Sequence, residues 1–281
     1  MLEEREYTMP RSDGKLVKNI PAIERLIPHI MNRRYDATNY AKIEFETENL
    51  QKFLRNLRVQ GHNVGIMDAV ICAYVQLLHK RPELNRFIAN KKIYDRKYIA
   101  VAFNMIRYPE DGQVEETVIK IYVKPEDGLL EISQKIRQAI KENEKPQSKN
   151  AIDTLMDKLV MLPFLPGSLV WLIKWADRRG ILPKKIIELS PFHSSLYLSN
   201  LASIQMDAVY HHLYDFGTTS VFCTIGKPKR SYHPDGSKKQ TMALGFSMDE
   251  RICIGAIWVK SLFEFRRMLE QPENLLSQKE D

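Results

Sequence analysis

Cysteine is scarce in this chain and never paired. Only Cys72, Cys223 and Cys253 occur in 281 residues, each in apolar surroundings, and none has the short spacing of a metal knuckle or redox motif. They read as reduced core residues, which removes a disulfide framework and a thiolate metal site from consideration. Long apolar runs are also lacking. The strongest, Leu159–Trp175, is broken by Pro163, Pro166 and Gly167, whereas a membrane-spanning helix needs about 20 continuous apolar residues. The opening MLEEREYTMPRSDGK has no apolar core for a signal peptide, so the expected compartment is cytoplasmic. No internal repeat or low-complexity tract appears. A net charge of +7 is scattered apart from short clusters such as Lys227–Arg230. With no nucleic-acid-binding motif beside it, it predicts a solvated basic surface and no nucleic-acid partner.

What is present is ordinary globular periodicity, with 44% hydrophobic and 27% charged residues. Helical spacing recurs through Ile66, Val70, Ile71, Tyr74 and Leu78 before Pro82, and through Leu129, Ile132, Ile136 and Ile140. It returns through Trp258, Leu262, Phe265 and Leu269 before Pro272. These are core faces and need no cofactor. Strand alternation marks residues 40–47, 98–105, 116–123, 195–199, 220–226 and 241–247. YPEDGQ and YHPDGSKKQ carry turn dipeptides that would join antiparallel neighbours. The expected fold class is α/β, with a mixed β-sheet flanked by helices.

KENEKPQSKN, residues 141–150, is the one polar, Pro-containing linker. The apolar stretch after it suits either a kinked helical hairpin packed on the domain or a peripheral patch touching membrane or a long acyl chain. In the second case Lys174, Arg178 and Arg179 form its polar edge.

Five stretches, taken in order, resemble the catalytic domain of the acyltransferase component of 2-oxo acid dehydrogenase complexes, a chloramphenicol acetyltransferase-like domain. IPAIERLIPHIMNRRYDATNYAKIEFETENLQKFL is similar to that family's opening helix, first strand and next helix. GIMDAVICAYVQLLHKRPELNRFI is similar to its helix ending in Pro-Glu-Leu-Asn. SLYLSNLAS and SVFCTIGKPKR look like its T-I-S-N-L-G strand and the strand after it, and MALGFSMDERICIGAIWVKSLFEFRRMLEQPENLL fits its last strand, catalytic turn and terminal helix. The resemblance implies an acyltransferase-like domain over residues 18–276, with an apolar helical insertion at about 145–192. Residues 1–17 are then an N-terminal extension and 277–281 a tail.

The family signature D-H-R-x-x-D-G-A is here D-E-R-I-C-I-G-A. Asp249, Arg251, Gly255 and Ala256 persist, while Glu250 stands in the place of the histidine and Ile254 in that of the second acid. The family histidine deprotonates a thiol, a task suited to a pKa near neutrality. A carboxylate with an ordinary pKa of about 4.3 does this poorly unless burial raises it. Beside apolar neighbours, Glu250 is therefore expected to face solvent, to pair with a cation such as Arg251, or to titrate high. Ser199 matches the family serine that stabilises the oxyanion; the plainer alternative is a polar residue capping a strand end.

AVYHHLYDFGTTS offers a substitute base. It is similar to the H-H-x-x-x-D-G motif of condensation enzymes in the same superfamily, but Phe216 stands where glycine should follow and the segment lies between two strands. His211, His212 and Asp215 are therefore candidates to rebuild an acid–base pair near Ser199, or members of a polar network in which Asp215 fixes a histidine tautomer. His233 and Asp235 in YHPDG read as a hairpin turn.

Two functions follow as expectations. One is a diverged acyltransferase moving an acyl group to or from a coenzyme A or pantetheine-type thiol, with Ser199 as oxyanion donor and a base among His211, His212 and Glu250. A basic rim would then hold the anionic coenzyme, and no metal is called for. The other is a noncatalytic trimeric scaffold or regulator. No lipoylation motif or Ala/Pro linker precedes the domain, so no lipoyl group is expected on this chain. Family active sites lie between subunits, which implies a homotrimer.

Overall fold

Alternating side chains make the central sheet two-faced, and the two faces are covered by different material. The computed structural model describes residues 11–107, 115–144 and 165–276. Its strands are β1 (Gly14–Leu16), β2 (Thr38–Glu46), β3 (Arg86–Ala89), β4 (Lys92–Arg96), β5 (Ile99–Arg107), β6 (Glu115–Val123), β7 (Leu196–Asn200), β8 (Val221–Ile225), β9 (Lys229–Tyr232) and β10 (Lys238–Asp249). Seven of them form a sheet in the order β2-β10-β8-β7-β5-β6, with β9 paired to the start of β10, and β1-β4-β3 form a small second sheet. β7 runs parallel to β5 and β8, and the other neighbours are antiparallel. The sheet is mixed, as the strand pattern implies. The β9–β10 turn closes through His233 N–H, which donates to the Ser237 carbonyl at 2.9 Å. The YPEDGQ turn lies outside the described residues, although the antiparallel pairing of β5 with β6 is present.

Helices α1 (Ala22–Ile30), α2 (Glu48–Val59), α3 (Ile66–Lys80), α4 (Leu129–Glu144), α5 (Leu165–Arg179), α6 (Lys184–Leu189) and α7 (Gly255–Glu270) complete the fold. One sheet face, with Phe45, Val101, Ile121, Leu198, Cys223 and Phe246, joins α3, α4 and α7 in a single large core. The helical spacing of α3 suggests one apolar face, yet every residue from Asp68 to Leu78 is buried, because the helix runs between α4 and α7. Its buried Asp68 accepts from Gly65 N–H at 2.8 Å and pairs with Arg137 at 2.5 Å. The carboxylate thus caps the helix and is itself compensated. All three cysteines are free and buried; burial pushes the Cys72 and Cys253 thiols up to about 12, far from the range of a reactive thiolate.

Residues 11–16, read from the sequence as part of an extension, are built into the domain. Arg11 and Asp13 are buried, β1 pairs with β4, and Arg11 lies over the Phe87 ring. The first four residues of the expected linker, 141–144, are the last turn of α4, and residues 145–164 lie outside the described set. Residues 165–179 are helical, and no helix among the described residues is long and apolar enough to cross a membrane. A polar latch fastens α5. Asp177 takes a 2.7 Å bond from Arg11 and lies 3.4 Å from His193 Nε2, while His193 Nδ1 is 2.9 Å from Ser190 Oγ. Burial alone would raise the Asp177 carboxyl, but His193 and Arg11 outweigh it and hold the group down at about 2.

A carboxyl whose folded pKa lies below its unfolded value contributes stability that is present above about pH 4 and lost as pH falls toward 2. Asp177→Asn should therefore cost on the order of 2 kcal/mol at neutral pH. The gap to wild type should close between pH 4 and 2 in urea unfolding followed by tryptophan fluorescence.

Candidate functional site

The second face of the central sheet carries the candidate site. Tyr197 and Ser199 project there from β7, Phe222 and Thr224 from β8, and Gly245 from β10. The registers Tyr197↔Phe222, Ser199↔Thr224 and Thr224↔Gly245 set them side by side. The segment 205–217, without regular structure apart from its first turn, crosses this face. It is pinned where Thr224 Oγ1 donates to the Val209 carbonyl at 2.5 Å and Lys227 N–H donates to the Met206 carbonyl at 2.8 Å. Gly245 permits that approach: a Cβ there would meet the Val209 carbonyl oxygen at 2.5 Å.

The pinned segment sets His211 flat on Phe222, with ring centroids 4.0 Å apart and planes at 9°, and Phe222 in turn stacks on Tyr197 at 4.8 Å. His211 Nδ1 is 2.8 Å from the His212 carbonyl. A carbonyl only accepts, so Nδ1 carries the hydrogen and the neutral ring keeps its lone pair on Nε2. Burial against the aromatic stack lowers the His211 pKa from its ordinary value, against the hydrogen bond to the His212 carbonyl, which pulls it up. His212 is exposed beside Tyr214.

Ser199 is half-buried, and its hydroxyl has no protein partner among the described residues. The Ser203 hydroxyl, not that of Ser199, bonds the Asn200 carbonyl at the strand end. Ser199 sits two residues beyond Tyr197 on the same face, about 7 Å along the strand from the His211 stack.

Asp215 does not join this group. Its carboxylate is 3.5 Å from Lys174 of α5, and the Nδ1 tautomer of His211 is fixed by a backbone carbonyl instead. Nor does Glu250. Asn39 donates its amide to the Glu250 carboxylate, and the expected Arg251 partner is committed elsewhere, bonding both oxygens of Asp249 at 2.8 and 2.7 Å. Asp249 is fully buried and lies 3.6 Å from Arg34 Nε, whose guanidinium also donates to the Tyr214 and Gly217 carbonyls. Burial lowers the Arg34 pKa, against the pull of Asp249. Because β8 and β10 are antiparallel, Glu250 lies five residues beyond Gly245, about 17 Å along the sheet from the level of Ser199. The sequence reading missed Arg34, Tyr197 and Phe222. Nothing local in NRRYD marks its second arginine as buried, and alternation alone marks the two rings only as strand residues.

No family model matches the chain, and no curated protein matches it by sequence. Solved structures do. A probable dihydrolipoamide acetyltransferase from Listeria monocytogenes is 13% identical, covering 95% of this chain and 97% of that one with a TM-score of 0.56. The truncated catalytic core of the 2-oxoacid dehydrogenase multienzyme complex from Thermoplasma acidophilum is 14% identical, covering 92% and 100% at 0.57. A chloramphenicol acetyltransferase is 12% identical, covering 92% and 98% at 0.51. The chain has the chloramphenicol acetyltransferase-like fold. At these identities the likeness speaks for architecture and leaves function to the residues. Among the described residues no group of three His, Cys, Asp or Glu side chains could hold a metal ion.

Gly245→Ala should push the Val209 segment off the sheet and cost about 1–3 kcal/mol in chemical denaturation. In a histidine NMR titration the same variant should move the His211 pKa back up toward 6.5 as its ring is rehydrated.

Proposed function

We propose that the chain is a diverged acyltransferase that moves an acyl group between a thioester of the coenzyme A or pantetheine class and an acceptor. What supports this reading is that His211 and Ser199 lie on one sheet face: an imidazole with its Nε2 lone pair available and a hydroxyl with no protein partner among the described residues. Their offset of about 7 Å leaves room for a thiol against Nε2 and a carbonyl oxygen against the hydroxyl, each at hydrogen-bond distance. His211 Nε2 takes the thiol proton, and the sulfur attacks the acyl carbonyl carbon. The Ser199 hydroxyl donates to the oxyanion so formed. Collapse breaks the bond to the leaving group, which receives the proton from the imidazolium. A base with a lowered pKa stays neutral at pH 7 and needs no carboxylate behind it, which accommodates the diversion of Asp215 to Lys174.

The homotrimer implied by the fold is part of the proposal. Exposed Ile254, Val259 and Phe263 give the Glu250 end of the molecule an apolar surface suited to burial against a neighbour. In a trimer the Glu250 end of one subunit could face the Ser199 end of the next, which one chain by itself holds apart. A dihydrolipoamide acetyltransferase of Azotobacter vinelandii with this fold has had the roles of a serine, a histidine and an asparagine in its mechanism investigated. In the signature alignment the present chain offers Glu250 and Ile254 at that end. Those two replacements favour the second reading, a noncatalytic trimeric scaffold or regulator.

A panel of acyl-coenzyme A thioesters separates the two readings, because a scaffold neither binds them specifically nor releases thiol. His211→Ala should lower turnover by about 10² or more, Ser199→Ala should lower it independently, and Glu250→Gln should leave it within a few-fold. The acid limb of kcat/KM should fall below pH 6.5, since protonating a base whose pKa is lowered requires a more acidic solution. Loss in Glu250→Gln with His211→Ala unaffected would return the base to the signature turn. Light scattering should give three times the monomer mass, and a stable monomer would rule out a shared site.

A further inference from the structure

A cavity of about 340 Å3 opens between the end of α1, the β3–β4 turn, the C-terminal half of α5 and the 215–217 segment. Several of its charged walls are already matched: Arg34 and Arg251 against Asp249, Lys174 against Asp215, and Asp177 against Arg11 and His193. Arg33, Lys91 and Arg178 also line it, and among the described residues none of the three has an anionic partner. Three exposed cations from three separate elements, Arg33 with its guanidinium over the Tyr35 ring, line one small cavity without an acidic partner.

Lys91 adds an independent observation. It follows Asn90 in the turn between β3 and β4, and both have left-handed backbone, at φ 61° and 46°. Such turns favour Asn-Gly, because glycine takes the second position without strain. A lysine held there is the kind of local strain that accompanies ligand sites. Lys91 also borders a second cavity of about 620 Å3 on the other side of α1, lined by Lys18, Arg25 and Lys92 and by no acidic residue.

We propose that the 340 Å3 cavity binds a phosphate group, supplied by a soluble phosphate ester or by the headgroup of an anionic phospholipid. A tetrahedral anion with several acceptor oxygens suits two guanidinium forks and an ammonium arriving from different directions. The volume lies at the small end of ligand pockets, enough for the anionic group and a short extension. Trp171, Leu172 and Trp175 are exposed on the same helix that supplies Arg178. That suits a lipid surface, and it places two indoles where they report occupancy. Inorganic pyrophosphate and phospholipid vesicles carry no acyl thioester, so this binding and acyl transfer are read separately and can fail separately.

The test uses the whole chain at low salt in two arms: titration with inorganic pyrophosphate followed by tryptophan fluorescence and calorimetry, and flotation with phosphatidylcholine vesicles with and without phosphatidic acid. Saturable binding in either arm that falls tenfold or more in Arg33→Gln/Arg178→Gln supports the site. Pyrophosphate alone identifies a soluble ester, and vesicles alone identify a headgroup. Lys91→Gly should weaken binding several-fold while raising Tm by about 2 °C, since it removes the charge and relieves the backbone together. No binding in either arm, or an equal loss in Lys52→Gln/Arg55→Gln on α2, which does not border the cavity, would overturn the proposal.

Discussion

The buried Asp249 carboxylate is the point on which the end of the sheet and the segment crossing its second face depend. It ends β10, the strand with the most neighbours in the sheet, and it is fully buried. A lone carboxylate there would be untenable, so it takes a bidentate fork from Arg251 and the charge of Arg34. Those two arginines spend their remaining donors on backbone carbonyls of Met31, Tyr214 and Gly217. One charge thereby fixes the end of the first helix, the signature turn and the far end of the segment that carries the histidines. Removing one partner would leave the other charge buried and uncompensated, which typically costs about 3–5 kcal/mol.

From that anchor the 205–217 segment is a strap stretched between two fixed ends. At one end Thr224 and Lys227 hold Val209 and Met206 against β8; at the other Arg34 holds Tyr214 and Gly217. Gly217, at φ 76°, sits with its backbone so close to the Phe192 carbonyl that a Cβ would lie 2.2 Å from it. Between the ends the strap sets His211 on the aromatic stack. The stack dehydrates the ring, and that dehydration lowers the pKa and keeps the imidazole neutral. Packing and the chemistry proposed for the site thus rest on the same contacts.

Helix α5 is attached by charge more than by apolar burial. Its Asp177 meets Arg11 and His193 inside, its Lys174 meets Asp215, and Trp171 is 64% exposed. A helix held in this way brings its own cations to the cavity wall while leaving an apolar flank outward. One helix thus supplies both a latch to the domain and part of the wall of the cavity proposed to hold a phosphate.

Much of the architecture follows from the amino-acid sequence by itself, because alternation and helical spacing are local. Six strands, the helices beginning at Ile66 and Leu129, and the terminal helix on Trp258 and Phe265 are all legible in the order of residues. The small sheet was not legible, since its strands are short and its turn, Asn90–Lys91, lacks the glycine that would announce it. The spatial grouping of HHLYD was also out of reach. Its spacing suggests that Asp215 serves a histidine, yet Asp215 turns to Lys174 and His211 to a carbonyl and a phenylalanine. The carbonyl belongs to the adjacent His212, but Phe222 and Lys174 lie on other elements, Lys174 41 residues from Asp215. Likewise, only the antiparallel pairing of β8 with β10 decides that Ser199 and Glu250 stand at opposite ends of the sheet. Strand direction is a property of the assembled sheet, not of any one segment.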